Sequence, residues 1–160
     1  MKVFAVLLLV LCLAAAALTG YVYLTANIEV TGIRCTAHDG ANQKDLFQDL
    51  KTRIASDSFT GTAFSVSSLG AAEDYVFYEY TLDLRNDSFL RAEVIEIQVT
   101  PMNGDVLQTG DSEPRDLAPR SRGSFSAVIL TARDMHNVRE MTITYYLWGL
   151  PFSTRVTYSP

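Results

Sequence analysis

Residues 75–100 read YVFYEYTLDLRNDSFLRAEVIEIQVT, two alternating segments separated by a polar turn. From Val76 to Leu84 every second residue is apolar, and this period of two is typical of a strand with one buried face. Alternation resumes at 92–100, with Glu and Gln between the apolar positions. Asn86-Asp87-Ser88, which follows the strand at 75–85, is therefore predicted to turn one strand into the next, using side chains that bond nearby backbone.

Short segments of the same kind recur through the rest of the chain. Each has one apolar face, which two sheets packed face to face would bury. A glycine where the apolar parity slips by one, at Gly32, predicts a β-bulge. The sequence thus predicts a mainly β protein, a two-sheet β-sandwich of seven to eight strands, with further strands at 28–35, 59–67, 105–109, 124–130, 141–148 and 152–158.

The connections between these strands carry their own signals. Asn103-Gly104 is a strong two-residue hairpin signal and predicts that 92–100 pairs with 105–109. A second hairpin is predicted around Gly149-Leu150-Pro151, and a turn of helix is expected in 131–140.

One amphipathic helix is predicted at 43–56. Its apolar residues recur at helical spacing, and Asn42 with Asp45 resembles a capping box. The helix needs an apolar surface to cover, and the outer face of the strand at 75–85 offers one through Tyr75 and Phe77. The apolar positions of the helix are Leu46, Phe47, Leu50 and Ile54.

The N-terminal segment is uncharged from Val3 to Leu18, with Lys2 just before it. Two interpretations remain open. A retained transmembrane anchor would occupy 1–24 and contact the membrane through 3–24, whereas a secretory signal would be cleaved near Ala17. The charge at the extreme N-terminus favours a cytoplasmic N-terminus and an extracytoplasmic sandwich domain at 25–160, in a single-pass protein of the cell membrane.

Charge and cysteine content exclude several classes of protein. Eighteen acidic and twelve basic residues lie beyond Leu24, so the domain carries about −6 and lacks the basic face that nucleic acid requires. Cys12 lies in the apolar segment, which leaves Cys35 without a partner for a disulfide within the domain. Asn86-Asp87-Ser88 matches a glycosylation acceptor, which matters only in a eukaryotic secretory route.

Catalytic and metal sites find little support in the sequence. His38 and His136 lie outside any recognisable motif, so no enzyme activity, catalytic residue, metal or cofactor is predicted. Pairs such as His38-Asp39 or Asp134 with His136 supply two ligands, whereas zinc sites need three or four. Asp45 and Asp49 share a helix face, and Asp49 is expected to pair with Arg53 in solvent.

Aromatic residues near the end of the chain suggest a binding surface. Tyr146 and Trp148 lie on the face opposite Tyr145 and Leu147, and with Phe152 they form a candidate strip for carbohydrate or peptide. The alternative is that such apolar strips are covered within the fold.

Two stretches of the chain, the first of which includes the strands described above, resemble a known family. They are YTLDLRNDSFLRAEVIEIQVTPMNGDVL at 80–107 and DLAPRSRGSFSAVI at 116–129. Over about 75–130 the chain resembles the FxLYD and late-embryogenesis-type immunoglobulin-like domains, although Arg120 stands where that family has a glycine. The residues that carry the likeness are Asn86, Gly104, Leu117, Pro119 and Phe125.

The resemblance implies an immunoglobulin-like sandwich on a bacterial surface protein, often behind one membrane anchor, with no catalytic residues to carry over. The expected function is therefore a non-enzymatic, membrane-tethered structural or interaction module of the cell envelope, whose partner would be an envelope protein or polysaccharide. A carbohydrate- or peptide-binding module is the alternative, and an uncharacterised hydrolase is a remote one.

Overall fold

The computed structural model describes residues 2–25, 27–65, 69–110 and 115–160. In these ranges the chain forms two α-helices and nine strands. The helices are α1 (Lys2–Thr25) and α2 (Lys44–Ala55). The strands are β1 (Ile28–Asp39), β2 (Gly61–Ala63), β3 (Tyr75–Asn86), β4 (Ala92–Val99), β5 (Asp105–Thr109), β6 (Arg115–Leu117), β7 (Arg122–Ala132), β8 (Arg139–Leu147) and β9 (Leu150–Tyr158).

The strands form two antiparallel sheets, which confirms the predicted β-sandwich. One sheet has the order β1-β3-β7-β5-β2, and the other has the order β6-β4-β8-β9. The described residues thus hold more strands than the seven to eight predicted, because β2 and β6 are only three residues long and β6 falls in a segment interpreted as loop. The end of the strand predicted at 59–67 lies outside the described residues.

The main core lies between the two sheets and follows the predicted alternation. Tyr80, Leu82 and Leu84 of β3 are fully buried, and β4 contributes Ile95, Ile97 and Val99 from the opposite sheet. The predicted bulge is confirmed, since the β1–β3 register shifts between Val30 and Gly32. The sandwich therefore forms for the reason the sequence indicates: each strand turns alternate apolar side chains inward.

Helix α2 packs on the outer face of the five-stranded sheet and builds a second, smaller core. Phe47 and Leu50 are buried there with Phe77, and the ring centroids of Phe47 and Tyr75 are 5.6 Å apart. The predicted helix and its cover over Tyr75 and Phe77 are thus confirmed. Leu46 was wrongly assigned to the buried stripe, because it is 41% exposed on the solvent side of the helix.

The predicted capping box is wrong. Asn42 belongs to a 3-10 turn, Gly40–Asn42, and α2 begins after Gln43, whose side chain makes no capping hydrogen bond. The side chain of Asp39 caps the 3-10 turn instead, by accepting a hydrogen bond from the backbone N–H of Ala41 at 3.2 Å.

The hairpin predicted at Asn103-Gly104 is also wrong. The turn is present, with the N–H of Asp105 bonded to the Met102 carbonyl, but it carries the chain from one sheet to the other. β4 pairs with β8 on one side and with the short β6 on the other. Beyond β6 the carboxamide of Gln108 bonds the backbone of β4: it accepts from the N–H of Val99 at 2.8 Å and donates to the Ile97 carbonyl at 2.6 Å.

The segment after β7 is extended and not helical, contrary to prediction. β7 runs to Ala132, and a turn at 133–134 leads directly towards β8. Two tyrosines of β3 bind the segment in its extended conformation. Tyr78 Oη donates to the Met135 carbonyl at 2.9 Å, and Tyr80 Oη donates to the Asn137 carbonyl at 2.8 Å. These bonds occupy carbonyls that a helical turn would use.

A buried ion pair joins the start of β8 to the start of β5. The guanidinium of Arg139 donates to both carboxylate oxygens of Asp105, at 2.9 and 2.6 Å, and both side chains are completely buried. Arg139 also donates to the carbonyls of His136 and Val138. Among the described residues no buried side-chain polar atom is left without a partner.

Candidate functional site at the helix-proximal end

Helix α1 meets the sandwich at one end. Only two residues separate Thr25 from β1, and Ile28 pairs with the last residue of β3. The backbone N–H of Asp87 donates to the Asn27 carbonyl at 3.3 Å, and that of Ile28 to Tyr145 Oη at 3.3 Å. We define the helix-proximal end as the β3–β4 turn (86–91), the β6–β7 turn (118–121) and the β8–β9 turn with the first residue of β9 (148–150).

The β3–β4 turn is built around a buried asparagine, as the sequence predicts. Asn86 is fully buried, and its Nδ2 donates to the carbonyls of Leu90, Leu117 and Ala118 at 2.8 to 3.1 Å. Its Oδ1 accepts from the N–H and the hydroxyl of Ser88. The nitrogen that would carry a glycan is therefore enclosed in the folded domain.

The β8–β9 turn differs from prediction in its position. Leu147 pairs directly with Leu150, so Trp148 and Gly149 alone form the turn, and Leu150 and Pro151 belong to β9. The φ values are 57° for Trp148 and 74° for Gly149. Two successive positive values define a type I′ turn, which matches the twist of the strands but favours Asn or Gly at both positions.

The three predicted site residues do not share one face. Tyr146 is 42% exposed and Trp148 is 67% exposed, so both face outward. Phe152 lies opposite Tyr145 in the β8–β9 register and stacks on its ring, with centroids 5.8 Å apart. The ring of Tyr23 in α1 packs on Phe152 at 5.5 Å. Phe152 therefore belongs to the helix–sandwich contact.

A groove of about 270 Å³ separates the end of α1 from the turns. Phe89, the exposed aromatic residue of the β3–β4 turn, lines it together with Trp148. Phe89 is not among the site residues predicted from the sequence, although a bulky apolar residue inside a polar turn is itself a signal. The helix side of the groove consists of Leu18, Tyr21, Val22 and Thr25.

Arg120 contacts a residue of this apolar groove, and Arg85 and Arg91 lie in or next to the β3–β4 turn. The guanidinium carbon of Arg120 lies 4.2 Å from the centroid of the Phe89 ring, a cation–π arrangement. Arg120 has a φ of 54°, a left-handed conformation that is uncommon outside glycine. Arg91 pairs with Asp116 at 3.5 Å, and Arg85 pairs with Asp87 and Glu29.

The predicted ionisable candidates are dispersed over the surface. His38 pairs with Glu79 at 3.5 Å and His136 is exposed. The Asp49–Arg53 pair forms as predicted, at 2.8 Å. The hydrogen bond from Ala41 and the Arg133 guanidinium hold the pKa of Asp39 below its usual value. Within the described ranges, no three His, Cys, Asp or Glu side chains gather as a metal site would require.

A larger cleft, of about 560 Å³, opens between the two sheets beside β2, β4 and β5. Glu96 is the one ionisable residue among the described residues that line it, and the others are apolar, amide or hydroxyl side chains and glycines. This lining supplies no pair of acid and base for catalysis.

Fold and site together define a β-sandwich that carries an N-terminal apolar helix and an exposed aromatic surface where the two meet. No protein-family model matches the chain, and neither the curated proteins nor the solved structures contain a significant match to it.

Proposed function

We propose that this protein is a non-enzymatic, membrane-tethered structural or interaction domain of the cell envelope, with α1 as its anchor. The observation that carries the proposal is the state of α1: Val3–Thr25 has a mean hydropathy of 2.7, and none of its apolar window is buried against the sandwich. Apolar surface in water is unfavourable by about 25 cal/mol per Å², so a helix left uncovered by its own domain needs a bilayer around it.

The orientation follows from charge. Lys2 precedes the apolar part of α1, and positive charge is retained on the cytoplasmic side. The sandwich then lies outside the cytoplasm. Two residues between α1 and β1 reach at most about 7 Å, so the domain is presented directly at the bilayer surface, at a high effective concentration for partners in the same membrane.

The first experiment asks whether the helix is retained in the membrane. We expect the expressed full-length chain to stay in the membrane pellet after alkaline carbonate extraction, and N-terminal sequencing to begin at Met1 or Lys2. A mature chain that begins at Leu18 would overturn the anchor and make the protein secreted. Leu11→Arg places a charge at the helix centre, which makes membrane insertion less favourable by about 3 kcal/mol, and should release the chain from the membrane. The control Thr36→Arg places the same charge on the exposed face of β1 and should leave the chain in the membrane.

The second experiment tests orientation. Ser159→Cys in a chain whose two native cysteines are replaced by alanine places one thiol at the exposed C-terminus. A membrane-impermeant maleimide added to intact cells should label it fully. Labelling only after the cells are lysed would contradict an extracytoplasmic domain.

A further inference from the structure

We infer that the helix-proximal end is a second membrane contact, distinct from the anchor: Phe89, Trp148 and Leu150 enter the headgroup layer, and Arg120 binds lipid phosphate. This inference rests on the proposed function, because it requires α1 to span the bilayer. It adds that the sandwich itself binds lipid, so that two attachments fix its orientation.

The position of α1 in the bilayer determines how deep the turns of the sandwich lie relative to the membrane interface. Crossing the hydrocarbon takes about 20 residues, so a span that begins at Val3 ends near Val22. Leu18 lies about 10 Å below Thr25 along the helix axis, at a rise of 1.5 Å per residue. Because Phe89 and Trp148 line one groove with Leu18 and Val22, both aromatic rings lie level with the bilayer interface.

Exposed apolar residues of the sandwich concentrate at this end. Beyond Thr25 the large exposed hydrophobic residues of the described chain are Leu46, Phe89, Val94, Met102, Tyr146, Trp148 and Leu150. Three of them, Phe89, Trp148 and Leu150, lie in or directly beside the β3–β4 and β8–β9 turns, and Tyr146 lies two residues before Trp148. Tryptophan and tyrosine are the residues that favour the membrane–water interface, where one part of the ring is apolar and the other is hydrated.

Folding does not explain why Trp148 occupies its position. A bulky residue with a φ of 57° carries backbone strain of roughly 1–3 kcal/mol, which Asn or Gly would avoid in the same turn. Among the described residues the ring packs on no other aromatic ring, and it stays 67% exposed. A strained turn that displays an exposed indole indicates a contact outside the chain.

The charges around the groove fit a lipid headgroup. The guanidinium carbon of Arg120 lies over the Phe89 ring, and its N–H groups make no hydrogen bond among the described residues, so they are available to phosphate oxygens. Arg85 and Arg91 are matched at this end by the carboxylates of Glu29, Asp87 and Asp116. Arg120 forms no ion pair among the described residues, so it is a cation that this end offers to a lipid phosphate.

A bilayer lipid is favoured over a polysaccharide as the occupant. One wall of the groove is the helix itself, whose residues at this level are apolar apart from Thr25, and a hydrated sugar chain would leave them against water. A sugar platform would also need several coplanar rings, whereas Phe152 is turned inward against Tyr145.

The test uses the intrinsic fluorescence of the full-length chain, because Trp148 is its only tryptophan. The protein is reconstituted in phosphatidylcholine–phosphatidylglycerol vesicles, and flotation first establishes that it is anchored. Lipids brominated near the headgroup should then quench Trp148 strongly, lipids brominated at the chain end should quench it weakly, and aqueous iodide should have little access.

A matched control moves the reporter to the other end of the sandwich. His136→Trp combined with Trp148→Gly keeps one tryptophan and the same anchor, and residue 136 lies before the start of β8, the strand that ends at the turn. This variant should escape bromolipid quenching and be open to iodide. Arg120→Gln should lower the quenching of Trp148 by brominated phosphatidylglycerol and leave flotation unchanged.

The outcomes separate the two proposals. Failure to float overturns the membrane anchor. Flotation combined with iodide-accessible, unquenched Trp148 overturns the lipid contact and leaves the anchor intact. A change in Trp148 emission on adding soluble cell-wall polysaccharide to the vesicles, without bromolipid quenching, would assign the surface to sugar instead.

Discussion

The interior of the sandwich and its helix-proximal end follow opposite rules. Inside, even charged groups are satisfied: Arg139 and Asp105 meet in a bidentate pair with no exposed side-chain area. At the end, Trp148 and Phe89 are more than 60% exposed, and the backbone of Trp148 is held in a conformation that suits glycine. The interior is optimised for the chain's own stability, whereas the end retains features that stability alone would remove.

The largest expected effect lies in the interior. Arg139→Ala leaves the carboxylate of Asp105 buried without its partner, which should lower the free energy of unfolding by about 3–5 kcal/mol. Chemical denaturation followed by circular dichroism measures the change. Arg34→Ala, which removes a pair that is largely exposed, should have an effect below about 1 kcal/mol. Equal losses in the two variants would contradict the contrast.

The second-largest effect on stability is expected in the β3–β4 turn, where a buried and an exposed residue are neighbours. Asn86→Ala removes the donors that bind Leu90, Leu117 and Ala118, and we expect a loss of about 2–3 kcal/mol in unfolding free energy. Asp87→Ala, one residue along and exposed, should change it by less than about 0.5 kcal/mol. A tolerant Asn86 would mean that the β3–β4 turn is not held by its side chain.

Alkaline pH should weaken the interior. Burial raises the pKa of Tyr80 well above its ordinary value of 10.0 and also raises the pKa of Cys35 above 9.0. The neutral forms are favoured in the folded state, so their contribution is complete at neutral pH and is lost as the pH rises above about 9–10. Each group adds a slope of at most about −1.4 kcal/mol per pH unit. Tyr80→Phe should make this alkaline loss shallower, and an unchanged slope would exclude Tyr80 as its cause.

A smaller effect of opposite sign is expected at the β8–β9 turn. Trp148→Gly relieves the left-handed strain and should raise the free energy of unfolding by about 1 kcal/mol, while it removes the exposed ring. Trp148→Ala removes the same ring and keeps the strain, so it should not stabilise. Destabilisation by Trp148→Gly would show that the indole serves the fold.

The smallest effect on folding is expected at Phe89. Phe89→Ser removes an exposed ring and its contact with Arg120, and the free energy of unfolding should change by less than about 0.5 kcal/mol. The same variant should weaken the quenching of Trp148 by brominated lipid, since it removes half of the aromatic contact. A large loss of stability would place Phe89 with the interior.

Local sequence patterns predicted the individual strands and the helix α2, whereas the pairing of segments distant in the sequence could not be predicted. Alternation located β3 and β4, and helical spacing located α2, because both signals arise from neighbouring residues. The partner of β4 could not be read locally: a two-residue turn signal indicates a hairpin, yet the edge that β5 would fill is occupied by β6 and by the side chain of Gln108. The Arg139–Asp105 pair spans 34 residues and has no sequence signature.

For the candidate site, too, local alternation predicted the exposure of two residues, whereas strand pairing placed the third residue elsewhere. Trp148 and Tyr146 follow the strand alternation and are exposed as the sequence indicates. Phe152 was placed with them because the turn was taken to be three residues long. A three-residue turn would pair Phe152 with Trp148, whereas the two-residue turn at Trp148-Gly149 pairs it with Tyr145, three residues away. A shift by an odd number of residues moves a side chain to the other face of a sheet.

The two ends of the sandwich are proposed to meet different surroundings, lipid at one and water at the other. Spin labels on Phe89→Cys and His136→Cys, each in the chain with both native cysteines replaced by alanine and reconstituted in vesicles, measure this difference. We expect the label at 89 to be relaxed mainly by oxygen, which partitions into the bilayer, and the label at 136 mainly by a water-soluble nickel complex. Equal relaxation by the nickel complex at both positions would contradict it.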